Sequence, residues 1–463
     1  MTDTQDLPAD DRDDLEGLYG ATDAVVRQIR EALAEDRPEA VAELVRPLHA
    51  ADLADLFELL NAEERNTLVS LIGSDVDPDF FSYLDESVRE DVIDDLDTEQ
   101  LATVVQELDT DDAIDLIEDL DEQDQADLLQ AIPAEDRALY EEALRYPEES
   151  AARLMDREVA TVPSYWSVGQ TIDYMRSDAE LPSTFYDIYV IGPNYRPIGA
   201  LPVSKLLRTD RPVPVSEIMS TDIKQIPATM DQEDVAFLFR QYGLASAPVV
   251  DDSGRLVGVI TVDDVVNVME EEHEEDMLSL GGVREDDFYN AVIDTTRARF
   301  SWLLLNLVTA ILASLVIGLF EKSIEKVVAL AVLMPIVASM GGNAGTQTLT
   351  VAVRALALKE LTPANALRIV GKEILVGGIN GILFAVLMGA IGWYWFGSLM
   401  IGAVLAAAMV INLLMAGLAG TLVPLTLDRL GIDPAIASAV VLTTVTDVIG
   451  FLAFLGLATM VLL

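Results

Sequence analysis

One carboxylate in the apolar C-terminal third of the chain sits mid-span, whereas most other ionisable groups there lie in connections. It is Asp447, within Val441-Leu-Thr-Thr-Val-Thr-Asp-Val-Ile-Gly-Phe451. A charged carboxylate at mid-membrane costs about 2.5–3.5 kcal/mol on insertion scales, so it normally faces a partner or water. On a helix, Thr443 lies four residues before it and Gly450 three after, giving one face a hydroxyl, a carboxylate and a gap. The competing reading is a protonated Asp hydrogen-bonded to another helix. A second constellation is Met334-Pro-Ile-Val-Ala-Ser-Met-Gly-Gly-Asn-Ala-Gly-Thr-Gln347. Pro335 removes a backbone donor and three glycines weaken a helix, so irregular backbone is expected here. At membrane depth such backbone is tolerated where it is buried in protein or lines water. Its freed carbonyls, with Asn343, Thr346 and Gln347, offer oxygen ligands to an ion or its hydration shell. The Gly-Lys-Ser/Thr ending of a phosphate loop is absent.

A third constellation is Met269-Glu-Glu-Glu-His-Glu-Glu-Asp276, with Asp263 and Asp264 just upstream. Clustered carboxylates suit hard divalent cations such as Mg²⁺ or Ca²⁺. A solvated acidic face is the plainer alternative, and Glu271 and Glu275 repel at i, i+4. His273 reads as a solvated helix residue, and His49 as a packing or capping residue.

These residues sit in a chain of two characters. Its 463 residues hold 79 Asp/Glu against 29 Lys/Arg, a net charge of -50, yet 51% are hydrophobic. Residues 301–463 contain seven acids and seven bases, so residues 1–300 carry the whole imbalance. An acidic soluble portion followed by an apolar one excludes a single globular domain. The acidic portion repels nucleic acid, so no nucleic-acid partner is expected, and it attracts cations. With no Cys and only His49 and His273, thiolate, Fe–S and zinc chemistry are not expected. No catalytic set is assigned, and the chain is read as a non-enzyme. The acidic, polar stretch Met1–Asp14 does not read as a cleavable signal peptide.

From Phe300 onward, apolar runs of about 20 residues recur, enough to cross a ~30 Å hydrocarbon core. Five spans are expected, at 300–320, 327–349, 374–396, 399–422 and 434–463. Small residues in the second and fourth suit close helix packing. Arg297, Arg299, Arg354, Lys359, Arg368, Lys372 and Arg429 fall on one side, against Lys322 and Lys326 on the other. The positive-inside bias puts the first group and the acidic N-terminus in the cytoplasm, and the C-terminus outside.

Residues 20–145 read as short helices, with apolar sets such as Leu53, Leu56, Phe57, Leu60 and Leu116, Ile117, Leu120. Two-residue acidic connectors such as Asp109-Thr110 and Asp121-Glu122 recur, suggesting stacked helical hairpins. Residues 1–150 hold 46 acids, nine Arg and no Lys. From 151 the pattern turns to alternating strand and helix. Ala247-Pro-Val-Val-Asp-Asp-Ser-Gly-Arg-Leu-Val-Gly-Val-Ile260 is a hairpin leading into a helix. An earlier copy starts at Asp187-Ile-Tyr-Val-Ile-Gly-Pro-Asn-Tyr-Arg, and Met155 and Met219 open the two copies. This tandem resembles a pair of CBS domains, a regulatory module that dimerises and often binds adenine nucleotides. Thr261 and Asp264 supply the Thr-x-x-Asp that such modules use on a ribose, here of ATP; Ser204 and Lys205 stand there in the first copy. The segment from Met277 to Arg299 reads as an amphipathic lever between this module and the first span.

Taken together, the chain resembles the MgtE family of Mg²⁺-selective channels and transporters. The likeness runs from the acidic helical domain and Tyr146-Pro-Glu-Glu-Ser-Ala-Ala-Arg-Leu-Met155 to Gly341-Gly-Asn-Ala-Gly345 and Thr446-Asp447 with Gly450. It implies an all-α acidic superhelical domain (1–146), a tandem α/β CBS pair (147–272), a connecting helix (273–299) and a five-helix membrane domain (300–463). It also implies a homodimer in the inner (plasma) membrane, one pore between the subunits, and hydrated Mg²⁺ held at Asp447 with Thr443, Gly342 and Asn343 nearby. Mg²⁺ bridging the cytoplasmic domains would close the pore. Positions matching the bridging carboxylates are Asp231, Glu233, Asp264, Glu272, Glu275 and Asp276, while Asn267 and Gly243 depart from the expected acids. Near the pore, Thr346 and Ala439 stand where some relatives carry Asn. Rival readings are a transporter of Mn²⁺ or Co²⁺ and a non-conducting membrane-anchored sensor. The absence of Cys and of intramembrane His weighs against the first; Asp447 weighs against the second. Channel and carrier are not separated by the sequence.

Overall fold

The computed structural model describes residues 21–35, 37–72, 77–94, 96–177, 181–182, 184–283 and 292–463. The chain forms two compact units, Met1–Glu271 and Glu272–Leu463.

Among the described residues, the first part of this unit holds nine short helices, from Asp23–Ala34 to Ala134–Ala143, and one 3₁₀ turn, Pro78–Tyr83. Acidic residues start many of them, because a carboxylate satisfies first-turn N–H groups and opposes the positive helix end. Asp97 and Gln100 form a reciprocal capping box. Asp85 accepts from Ser87 N, and His49 caps its helix by accepting from Ala51 N at 3.2 Å. The apolar stripes bury Leu53, Leu56, Phe57, Val88, Ile114, Leu116 and Ile117. Most acids therefore lie on the solvent-facing side of these helices and the apolar stripes make the core, with Asp111 a buried exception.

Two three-stranded sheets follow, with identical topology. In one, β1 (Thr161–Pro163) runs parallel to β2 (Asp187–Ile191), which pairs antiparallel with β3 (Pro197–Pro202). In the other, β4 (Ile226–Pro227), β5 (Ser246–Val250) and β6 (Leu256–Thr261) repeat the order. The methionines that mark the repeats exchange partners. Met155 packs against Gly258 of the second sheet, and Met219 against Gly199 of the first. A Cβ at Gly258 would lie 2.7 Å from the Asp156 carbonyl, so this strand crossing requires glycine. Ala151, Ala152 and Met155 accordingly belong to the core of the second repeat.

Beyond β6, one helix runs Val262–Gly281. The lever expected at 273–299 is not one helix among the described residues. Its first part ends this element, Gly282 turns left-handed at φ +67°, and the next helix is Val292–Gly318. Residues 284–291 lie outside the described residues.

Among the described residues, the second unit has five helices long and apolar enough to cross a membrane: Thr295–Gly318, Ala329–Ala357, Ala366–Phe396, Leu399–Arg429 and Ser438–Leu462. The fourth is central, half buried, whereas only 6% of the first is. Glycines let the third and fourth approach closely: a Cβ at Gly377 would lie 2.6 Å from the Leu413 carbonyl. Leu330, Leu333 and Val337 pack with Leu405, Met409, Leu413, Phe454 and Leu455 in the bundle core.

The second span corrects the expectation of irregular backbone. It is a continuous helix, Ala329–Ala357, with Pro335 inside it. Neighbouring helices fill the space the glycines leave: Gly341 meets Asn412, and Gly345 meets Leu442. Tertiary packing thus overrides the low helix propensity.

Candidate functional site

Asp447 lies on the last helix, Pro434–Leu462, and is half-buried. Thr443, one turn earlier, is exposed and donates its Oγ1 to the Ala439 carbonyl at 2.9 Å. Thr446 beside it is fully buried and bonds back to the Leu442 and Thr443 carbonyls. On the second span Asn343 and Thr346 are exposed and Gly342 is partly so. The Gly342 carbonyl is not freed, because Thr346 Oγ1 donates to it at 3.0 Å. The second and fifth helices pack together through Leu349, Val353, Ala435 and Leu442. One bundle therefore carries the carboxylate, two hydroxyls and an amide on neighbouring helices.

A second largely buried acid on a span helix was missed by sequence. Glu373, placed in a connection by hydropathy, belongs to the helix Ala366–Phe396. Its side chain is only 12% exposed, pairs with Lys372 at 3.3 Å, and accepts from Thr348 Oγ1 at 3.4 Å. The available signal was spacing. Glu373, Gly377 and Gly381 recur at i, i+4, the line on which the helix meets the fourth span.

In the first unit, acids face acids. Helix Thr110–Glu118 presents Asp111, Asp112 and Asp115. Asp111 is 8% exposed; burial and the charges of Asp264, Asp112 and Asp156 hold its pKa well above the usual carboxylate range. Asp112 is pushed up to about 6, chiefly by burial with Asp264 and Asp109 adding. Asp156 rises to about 6, again chiefly by burial. Asp115 rises to about 7 because of its crowded surroundings, although its own surface is exposed, against the Arg89 guanidinium and with Asp112 and Glu271 adding to the rise. Arg89 itself pairs with Asp119 at 2.5 Å. Asp264 is raised by burial and by Asp263, while Thr261 N and Oγ1 donate to its carboxylate at 3.2 and 2.7 Å.

The remaining expected ligands are placed apart. Asp231 caps the helix Gln232–Tyr242, accepting from Glu233 N at 3.0 Å. In the second unit Asp276 is raised by burial, by Asp433 and by Glu275, with His273 opposing. Asp433, which caps the fifth span through Ala435 N at 2.7 Å, was not singled out in the sequence because it looked like an ordinary helix start. Among the described residues, no three His, Asp or Glu gather as a preformed metal cage.

The nucleotide reading of Thr261 and Asp264 meets a different environment. Thr261 lines a small cleft with Asp156, Glu158, Asp187, Tyr186, Tyr189 and others. Among the described residues, three carboxylates and no Lys or Arg line it, and Asp264 accepts from Thr261 at its helix start.

Comparison with known proteins adds the following. A family model described as the MgtE divalent cation transporter matches residues 334–457. The MgtE intracellular N domain matches 48–149, and a CBS domain matches 215–271. The chain is 35% identical over 326 residues to a protein named magnesium transporter MgtE from Thermus thermophilus, covering 70% of this chain and 72% of that one. To the protein of the same name from Bacillus subtilis it is 32% identical over 317 residues, covering 68% and 70%. A crystal structure of the cytosolic domain of the Mg²⁺ channel MgtE in complex with ATP is 30% identical. It covers 52% of this chain and 99% of its own, with a TM-score of 0.49.

Proposed function

The chain belongs to the MgtE family of divalent cation transporters, and on that premise we propose that it passes Mg²⁺ through a membrane and is shut by cytosolic Mg²⁺. It acts as a homodimer in the plasma membrane, with the acidic portion cytoplasmic and the C-terminus outside. The observation that carries this reading is Asp447, half-buried on a span whose neighbour bears Gly342 and Asn343. Mg²⁺ gives up its waters reluctantly and keeps several of them. Asp447 grips the hydrated ion through those waters, with Thr443 and Asn343 as further oxygen ligands. Full-length protein in vesicles should carry Mg²⁺ down its gradient, read by an enclosed Mg²⁺ dye; vesicles no leakier than protein-free ones would refute the reading.

Regulation follows from the facing acids. Asp111, Asp112, Asp156 and Asp264 meet only when the first unit is compact, and their charges oppose that state. A divalent ion offsets the repulsion, and it shifts the equilibrium only by preferring the compact form. Asp231, Glu233, Glu272, Glu275 and Asp276 take part as bridging ligands between elements or between subunits, in keeping with the lack of a preformed cage. Asp433 joins Asp276 in this role.

Protons should substitute for the ion. A carboxylate whose pKa is raised in the compact form favours that form at low pH, and the advantage disappears as pH rises through about 6 to 7. Amide exchange of Thr110–Glu118 in the full chain checks this. At pH 8 protection should require Mg²⁺; near pH 5.5 it should persist under chelation, after correction for intrinsic exchange. Equal Mg²⁺ dependence at both pH values would contradict the account.

A further inference from the structure

One fully buried polar side chain of the membrane unit is not among those that sequence reasoning selected. Asn412, on the fourth span, is fully buried. Its Nδ2 donates to the Val337 carbonyl of the second span at 2.7 Å, while its Oδ1 has no partner. It occupies a gap made by two glycines. A Cβ on Gly341 would collide with the amide, coming within 2.7 Å of its Cγ, and one on Gly450 would lie 2.9 Å from its Nδ2. The two glycines belong to the helices that carry the candidate ion ligands. Gly341 immediately precedes Gly342 and Asn343; Gly450 lies three residues beyond Asp447, about 4.5 Å along the helix. One side chain of the fourth span thus fills the space beside both ion-lining helices, within a turn of their ligands.

We infer that Asn412 is a positioning residue that fixes the spacing between the second and fifth spans at the level of Asp447, and thereby sets discrimination by ion size. The inference rests on the proposed Mg²⁺ conduction. Oxygen distances around Mg²⁺ are about 2.0–2.1 Å, against about 2.3–2.6 Å around Ca²⁺. A shift of a few tenths of an ångström in the gap is therefore enough to change the preference. The amide suits this task better than an apolar side chain of equal size, because its bond to Val337 fixes its rotamer as well as filling the volume. The unpartnered Oδ1 shows that the position is not optimised for stability alone, since a buried acceptor without a donor is unfavourable.

The test compares wild type with Asn412→Ala, Asn412→Leu and Gly450→Ala as full-length protein in vesicles. Half-saturating Mg²⁺ and Ca²⁺ and maximal flux are measured for each, and folding is checked by size-exclusion profile. Asn412→Ala should lower the Mg²⁺-over-Ca²⁺ preference by at least about tenfold while maximal Mg²⁺ flux stays within about threefold, a split that a purely structural loss would not give. Asn412→Leu, which keeps the volume without the hydrogen bond, should lower it as well. Gly450→Ala, pressing on the same amide, should shift it with Asn412 still in place. A conducting Asn412→Ala protein with the wild-type preference would overturn the inference, and so would failure of all three variants to fold, because Asn412 would then serve the fold itself. A wild type that carries no divalent flux would instead defeat the conduction reading before any variant is compared.

Discussion

Replacing Asp447 with Ala is expected to reduce Mg²⁺ flux at least about 100-fold while the protein still folds and associates. Removing one charge a few ångströms from a divalent ion in a partly desolvated bundle forfeits several kcal/mol of attraction, and about 2.8 kcal/mol already corresponds to that factor. Folding should survive because the side chain is only half-buried, and a mid-membrane carboxylate is a burden in the absence of an ion. Asp447→Asn should be nearly as damaging, since the amide keeps the shape and loses the charge. Vesicle flux and size-exclusion profiles of both variants check the pair of claims. Wild-type flux in either would remove Asp447 from the path.

Changing Glu272, Glu275 and Asp276 together to Gln should leave the protein conducting at cytosolic Mg²⁺ levels that shut the wild type. Two effects compete. Loss of like-charge repulsion, including that between Asp276 and Asp433, favours closure; loss of the ligands for bridging ions favours opening. At high Mg²⁺ the wild-type charges are already neutralised, so the missing bridge dominates there. A shift of the closing concentration upward by at least about tenfold is expected, equivalent to about 1.4 kcal/mol of lost preference for the closed form. Single-channel or flux recordings at graded Mg²⁺ measure it. Closure at the same or lower Mg²⁺ would make the cluster a solvated acidic face.

Much of this architecture was legible in the sequence because its signals are local. Length and hydropathy marked the five spans, acidic connectors marked helix starts at Asp109 and Asp121, and the paired hairpins with Met155 and Met219 marked the two repeats. What the methionines do was not legible. Each packs under a glycine of the opposite repeat, an exchange that no periodicity encodes. The second span misled for a related reason: propensity reads Pro335 and three glycines as a break, whereas Asn412 and Leu442 fill the gaps and the helix continues. The candidate site divides along the same line. Asp447 was conspicuous as a charge in an apolar run, and Asp264 as part of an acid-rich helix. Asp111 and Asp112 looked like any acidic first turn, and only folding sets both against Asp264, and Asp111 against Asp156. Asn412 carries no charge and broke no pattern.

Closure by the conducted ion is tested most directly by flux through the full-length protein in oriented vesicles, with Mg²⁺ varied at the face bearing the acidic domains and the driving gradient held constant. Flux should rise with driving ion, then fall at least about tenfold as Mg²⁺ at that face passes through the millimolar range. Flux that merely saturates and stays high at that face would contradict the account.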